Sequence, residues 1–356
     1  MVKKTNQTKH PTKNELGVIL SLYRQKRYKE CLGEVKDRLK FFPNSADLLN
    51  FEGMAYTALN KDDEAVLSYQ KVIKADPSHA GAYYNMGIVF KRNGRIKEAI
   101  EKYKKAIFLN PAYVQAHNNL GVIYKNEGDY EKAIELFTRV VELKPDHHNA
   151  HFNLGFLYNE TGIKYKNQKD YEKAIYYFDL VTDVLPSNPE AFYNLGNVYF
   201  EMNELELSED KFKKAISIRP DYVEAWSNLG ILYHRMGKLK KAIKHYGKAL
   251  DIDPKHSESY YNAAISYKER GDRDMAAKYY LSCLDLDPNM VSASVNLAIL
   301  YEELGKSSAA LLLLREVVKK NECHPEARDS YSLLLLKNGH FKEGWENYEY
   351  RWKVPP

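Results

Sequence analysis

From about residue 12 to residue 352 the apolar positions recur at i, i+3, i+4 and i+7, the spacing of one face of an α-helix. The pattern predicts an all-α chain of amphipathic helices, and it also repeats as a whole. Asn119 opens NLGVIY, Asn153 NLGFLY, Asn194 NLGNVY, Asn228 NLGILY and Asn296 NLAILY. With Asn85 and Asn262 added, the asparagines are separated by 34, 34, 41, 34, 34 and 34 residues. Counting the asparagine as position 6 places units at 12–45, 46–79, 80–113, 114–147, 148–188, 189–222, 223–256, 257–290 and 291–324, with a partial tenth at 325–352. A length of 356 residues would by itself suggest two or three domains; the period replaces that expectation with one array.

Within a unit, position 7 is apolar, position 8 small and position 11 aromatic, which describes one amphipathic helix. Position 15 is Gly94, Gly128, Gly237, Gly271 or Gly305, a residue able to end a helix at positive φ. A second helix follows with a small residue at position 20 (Ala65, Ala99, Ala133) and an aromatic at position 24 (Tyr69, Tyr103, Phe137, Phe178, Phe212, Tyr246, Tyr280). Proline at position 32 closes the unit in most repeats, since it cannot continue a helix. The tyrosines at positions 11 and 24 are read as packing residues, since their spacing places them between helices.

These residues resemble the tetratricopeptide repeat, over residues 12 to about 352. The resemblance implies an all-α solenoid: antiparallel helix pairs stacked into a right-handed superhelix whose concave groove is lined by the first helix of each pair. The expected organisation is a disordered basic tail at 1–11, an array of about ten units at 12–352 with seven extra residues at 163–169, and a C-terminal end or linker at 353–356. Ile19 in place of a small residue and Glu322 in place of proline mark the ends of the array, where capping repeats deviate. The insertion is read as a longer helix pair or as a protrusion used for contact.

Charge narrows the partners. The formal net charge is +5, but Lys3, Lys4, Lys9 and Lys13 all precede the first acidic residue, Glu15, so the rest of the chain is nearly balanced. Nucleic acid is disfavoured, because no basic stripe runs through the repeats. Apolar runs such as Leu333 to Leu336 and Ala309 to Leu314 are far short of a membrane helix. No secretion signal is visible, so the cytoplasm is the expected compartment. Cys31, Cys283 and Cys323 form no CxxC pair, and the first two occupy small-residue slots as core thiols. His117, His147, His148 and His151 lie near one another in sequence, yet a metal needs three or four convergent ligands, and no metal or cofactor is expected. No phosphate loop, nucleophile elbow or carboxylate pair marks an enzyme.

Position 6 faces the groove in the superhelix that the resemblance implies. There Asn85, Asn119, Asn153, Asn194, Asn228, Asn262 and Asn296 form a ladder of amides, each offering a donor and an acceptor to the backbone of an extended peptide. The ladder resembles that in the repeat half of O-GlcNAc transferases; otherwise asparagine is simply common at this position. Positions 5 and 9 add Tyr84, Phe152, Tyr193, Tyr261, Ile88, Phe156, Ile231 and Ile265 as apolar contacts. Positions 12 and 13 add Lys91, Arg92 and Lys125, then His234, Arg235 and Lys268, two basic patches suited to acidic ligand residues. The lysines at position 2 that clamp chaperone C-termini in related repeats are absent. Position 2 instead holds Asp47, Gly81, Gln115, Asn149, Glu190, Glu224, Glu258 and Ser292.

The chain therefore reads as a non-catalytic scaffold binding extended protein segments. The EGWxxYExRW match at Glu343 to Trp352 is similar to the last repeat of bacterial repeat-containing glycosyltransferases, which implies an alternative: the substrate-recognition half of a protein O-glycosyltransferase. Trp345, Tyr348 and Trp352 fall at i, i+3 and i+7, an aromatic stripe for docking a catalytic domain or a second copy.

Overall fold

The computed structural model describes residues 10–320 and 324–350, and among them there are twenty α-helices and no strand. No helix of the described residues is long and apolar enough to cross a membrane. The tail residues Lys3, Lys4 and Lys9, and also Glu322, Cys323, Trp352 and the segment 353–356, lie outside the described residues. The helices group into two compact units, 1–158 and 159–356. Their boundary falls within one long helix.

In the first unit α1 (Lys13–Arg24) pairs with α2 (Tyr28–Leu39), α3 (Ala46–Ala58) with α4 (Asp62–Ala75), α5 (Ala80–Arg92) with α6 (Ile96–Leu109), and α7 (Val114–Glu127) with α8 (Tyr130–Leu143). Helix α9 (His148–Asn167) crosses the boundary and α10 (Tyr171–Val184) follows it. The second unit continues with the pairs α11 (Pro189–Glu201) and α12 (Leu205–Ile218), and α13 (Val223–Arg235) and α14 (Leu239–Ile252). Then come α15 (Ser257–Glu269) with α16 (Arg273–Leu286), α17 (Val291–Glu303) with α18 (Ser307–Lys320), and α19 (Pro325–Lys337) with α20 (Phe341–Glu349). Within each unit second helices also pack on the first helix of the next repeat, as α4 does on α5 and α12 on α13. First helices touch one another, α3 with α5 in one unit and α11 with α13 and α15 with α13 in the other. Each unit is thus a helical-repeat solenoid with one face made of first helices.

Local chemistry sets the helix ends. Ser45 and Asn188 accept from backbone N–H groups of the first turn, as Asp129 and Asp170 do for second helices. At His79, His147, His256 and His324 the cap is an imidazole Nδ1 accepting the N–H three residues on. The turn at position 15 is left-handed throughout: Gly128 has φ of 80°, and where glycine is missing Lys26, Asn60, Lys169 and Asn203 take φ between 58° and 64°.

The pair itself closes on a close approach. The position-24 ring lies on the position-8 glycine, and a Cβ placed on Gly230 would come within 2.5 Å of the Tyr246 ring, one on Gly196 within 2.6 Å of Phe212. Where the ring shrinks to Val35 in the first repeat, position 8 grows to Ile19, and both are fully buried. Position 20 fills the remaining gap: Ala65, Ala99, Ala133, Ala174, Ala242, Ala276 and Ala310 are completely buried. Ser208 at that slot donates to the Gly196 carbonyl at 2.8 Å, and Cys31 points its thiol at the Ile19 carbonyl. Burial pushes the Cys283 thiol up to about 11 and raises that of Cys31, so both stay protonated core groups near neutral pH.

The insertion lengthens α9 to 20 residues. It also moves the packing register, because Gly162 and not Gly155 lies under the Phe178 ring, at 2.7 Å from a Cβ position. Ile163 and Tyr165 join the cluster around Phe178 and Leu195.

Two outcomes follow. Gly230→Ala should destabilise by about 1–3 kcal/mol through overpacking, whereas Gly33→Ala, on the exposed face of α2 with nothing near its Cβ, should stabilise by about 0.5–1 kcal/mol; thermal unfolding of both variants checks the contrast. Burial also pushes the Tyr113 and Tyr279 hydroxyls up to about 12, while in the unfolded chain they ionise near about 10. The unfolded state then sheds protons first, so stability should be intact below that lower value and fall as pH rises toward the upper one, with the tyrosinate absorbance of the buried rings growing as helical circular dichroism is lost.

Candidate functional site

The first-helix face carries a lattice of contacts between residues 35 positions apart. In the first unit Asn85 donates through Nδ2 to Asn50 Oδ1 at 3.2 Å, and Asn119 to the Tyr84 hydroxyl at 3.3 Å. In the second, Asn194 donates to Asn159 Oδ1 at 2.9 Å, Asn228 to the Tyr193 hydroxyl at 3.1 Å and to Asn197 Oδ1 at 2.8 Å, and Asn296 to the Tyr261 hydroxyl at 3.1 Å. Asn153 is almost buried and accepts at Oδ1 from Lys125 Nζ at 2.7 Å. Asn262 stands 35 residues after Ser227 and makes no such side-chain bond among the described residues.

The amides are therefore not free donors and acceptors along their length, as the sequence suggested. Their N–H groups tie each repeat to the one before, and the oxygens of Asn85, Asn119, Asn194, Asn228 and Asn296 are the part left for a ligand. The tyrosines at position 5 are similarly engaged. Tyr84 packs between Tyr113 and Tyr103 with centroids 4.9 and 5.8 Å away, and Tyr193 between Tyr222 and Phe212 at 5.1 and 5.9 Å. Burial raises the pKa of Tyr84, Tyr193 and Tyr261. Phe152 and Phe156 differ from these half-buried rings, being 65% and 42% exposed.

The two basic patches also part company. In the second unit each charge has a partner in the neighbouring repeat: His234 Nε2 lies 3.0 Å from Glu269 and Lys268 3.1 Å from Glu303. Arg235 lies over the Phe200 ring at 4.8 Å and donates to its carbonyl. Lys166 with Glu201 and Glu302 with Lys337 continue the same series at 3.4 and 2.9 Å. In the first unit Arg92 pairs with Asp62 and bonds the Thr57 carbonyl, whereas Lys91 and Lys125 face no carboxylate partner among the described residues. Lys125 instead sits over the Phe156 ring at 5.4 Å.

Carboxylates edge the first-helix face of the second unit: after burial, the charges of Glu224 and Glu258 help to raise the Tyr193 pKa, and that of Glu326 the Tyr261 pKa. The histidines serve the backbone: His117 and His151 reach the Pro111 and Pro145 carbonyls at 3.0 and 2.8 Å, as the Trp226 indole reaches Pro220. Among the described residues no group of three or more His, Cys, Asp or Glu could hold a metal ion. At the far end Trp345 is 54% exposed and meets Tyr348 edge-on at 5.6 Å, while Trp352 lies outside the described residues. A cleft of about 330 Å³ opens nearby between α17 and α19, lined by Ala298, Ile299, Leu333 and Leu334.

Tetratricopeptide repeat profiles match residues 114–147 and 223–256 in one form, 53–94, 90–128 and 196–237 in a second, and 257–290 in a third, together more than half of the chain. The chain belongs to the tetratricopeptide repeat family. No curated protein sequence matches it significantly. Among solved structures, the complex of Naa15/Naa10 bound to HypK-THB is similar over 94% of this chain and 67% of that one, at 14% identity and a TM-score of 0.51, which shows a shared fold. PilW, a widely conserved type IV pilus biogenesis factor, matches 54% of this repeat protein and 90% of its own chain at 20% identity and a TM-score of 0.49. MamA matches 57% and 95% at 25% identity and a TM-score of 0.29.

Because the amides bridge repeats, Asn228→Ala should cost about 1–3 kcal/mol for two lost hydrogen bonds, while Asn262→Ala should stay within about 0.5 kcal/mol. Urea unfolding midpoints of the two variants check the difference.

Proposed function

We propose that the protein is an interaction scaffold that holds extended protein segments against its first-helix faces, with the asparagine oxygens accepting hydrogen bonds from the ligand backbone. The observation that carries this reading is the constant register of Asn85, Asn119, Asn194, Asn228 and Asn296, each fixed from behind by a residue 35 positions earlier. A side chain so anchored loses little entropy on binding, and evenly spaced acceptors suit the evenly spaced N–H groups of an extended backbone. Membership of the repeat family, and a fold shared with a complex in which Naa15 and Naa10 are bound to HypK-THB, support protein partners in general. The half-buried tyrosines Tyr84, Tyr193 and Tyr261 then act chiefly by orienting the amides.

The exposed Trp345 on α20 favours a second reading for the end of the chain, a docking face for a second copy or for a catalytic domain of a longer protein. Sedimentation of the wild type against Trp345→Glu tests it: a wild type that stays monomeric at high concentration, with its indole shielded from a quencher, would sink the docking face.

Asn194→Ala and Asn228→Ala combined should weaken binding of a library-selected extended peptide between about fivefold and about 150-fold, at about 0.5–1.5 kcal/mol per lost bond. Fluorescence anisotropy on the folded variant measures this. Unchanged affinity would show that the asparagines serve only the contacts between repeats.

A further inference from the structure

The insertion in α9 duplicates the binding register, and the duplication leaves one copy free. Seven residues make nearly two helical turns, so the second copy falls on almost the same face as the first. Structural duties pass to that second copy: Asn159, not Phe152, receives the Nδ2 of Asn194, and Gly162, not Gly155, underlies the Phe178 ring. At Asn50, Tyr84 and Tyr193 the position-5 side chain is held by its amide or hydroxyl to the asparagine of the next repeat. Phe152 has neither group and stands 65% exposed, with Phe156 one turn on at 42%.

The first unit also leaves its cations uncompensated at this place. Lys125 contacts the neutral Asn153 oxygen and the Phe156 ring, and Lys91 occupies the equivalent position one repeat earlier. In the second unit the equivalent Lys166 and Lys268 are paired with glutamates, and His234 Nε2 lies against a third, Glu269. An ammonium has three donors, and a carboxylate is the group that would satisfy the remainder most strongly.

We propose that Phe152, Phe156 and Lys125 form a selective pocket for a protein segment that places an apolar or aromatic side chain on the two rings and a single carboxylate beside the ammonium. The proposal rests on the scaffold reading above and specifies the ligand for that face. Each ring offers about 150–250 Å² for burial, and a desolvated aromatic anchor flanked by one charge contact is the usual make-up of a dominant contact in a protein interface. Glu160, one turn further along the same helix, carries the opposite charge. The fit is therefore to one carboxylate beside Lys125 and not to an acidic run.

The test uses the full chain and fluorescein-labelled synthetic dodecapeptides of serine and glycine carrying a Phe-x-Asp pair, with matched Phe-x-Asn, Phe-x-Lys and Ser-x-Asp peptides. Wild type should bind the Phe-x-Asp peptide about tenfold or more tighter than the others. Phe152→Ala with Phe156→Ala, and separately Lys125→Gln, should each remove about tenfold, and Lys125→Glu should turn the preference toward Phe-x-Lys. Lys278→Ala, an exposed charge on α16, should change nothing. Circular dichroism confirms that each variant folds, which the exposure of both phenylalanines favours. Equal binding of the Asp and Asn peptides, no binding of any of the four, or affinity unmoved by the Phe152/Phe156 change overturns the pocket. The Asn194→Ala, Asn228→Ala variant measured in parallel separates the two ideas: binding that depends on those asparagines alone overturns the pocket and keeps the scaffold reading, and binding that depends only on Phe152, Phe156 and Lys125 overturns the ladder.

Discussion

Six of the helix pairs close where an aromatic ring of the second helix lies against the backbone of the first, at a glycine with no side chain to hold it off. The rings of Tyr69, Tyr103, Phe137, Phe178, Phe212, Tyr246 and Tyr280 are essentially inaccessible to water, and a methyl group on several of the glycines beneath would collide with them. Dense packing leaves little room for adjustment, so this contact fixes the distance and rotation between the two helices. The small residues at position 20 and the left-handed turn at position 15 then follow as conditions for the same approach. Where the ring is absent, as at Val35, the compensating bulk of Ile19 keeps the interior filled.

Once the pair is fixed, its first helix presents the same residues at the same angle in every repeat, and contacts between repeats acquire a constant spacing. The asparagine amides, the position-5 tyrosines and the ion pairs of the second unit are all expressions of that spacing. The polar lattice is part of how repeats recognise their neighbours, and in the proposed reading it is also a surface for a partner. Such doubling has a physical advantage: a half-buried amide held by a neighbour keeps one fixed orientation, and its oxygen is ready for a ligand without further ordering.

The same regularity shows what a break in it does. A seven-residue insertion would disrupt a β-strand or a loop-packed fold, but in a helix it is close to a whole number of turns. Asn159 and Gly162 take up the packing contacts of the second unit, and Phe152 and Phe156 stand 65% and 42% exposed on the first, with Lys125 over the Phe156 ring. In the first unit Lys91 and Lys125 are uncompensated, while carboxylates edge the second, so the two units offer chemically different faces on one scaffold.

The helices, their pairing, the repeat length and the identity of the packing rings were all legible in the sequence, because each depends on local periodicity and on residue size at fixed intervals. Even the turns lacking glycine, at Lys26, Asn60, Lys169 and Asn203, could be placed by counting. The state of each polar group was not legible. Nothing in the sequence says that Asn228 turns its N–H groups toward Tyr193 and Asn197, or that Lys268 has Glu303 as a partner while Lys125 has only a neutral amide and a ring. Those outcomes depend on contacts 28 to 35 residues away along the chain, and only the packing of one repeat on the next determines them. The register after the insertion is fixed locally instead, because Gly162 stands 16 residues before Phe178, the interval that also separates Gly196 from Phe212 and Gly230 from Tyr246.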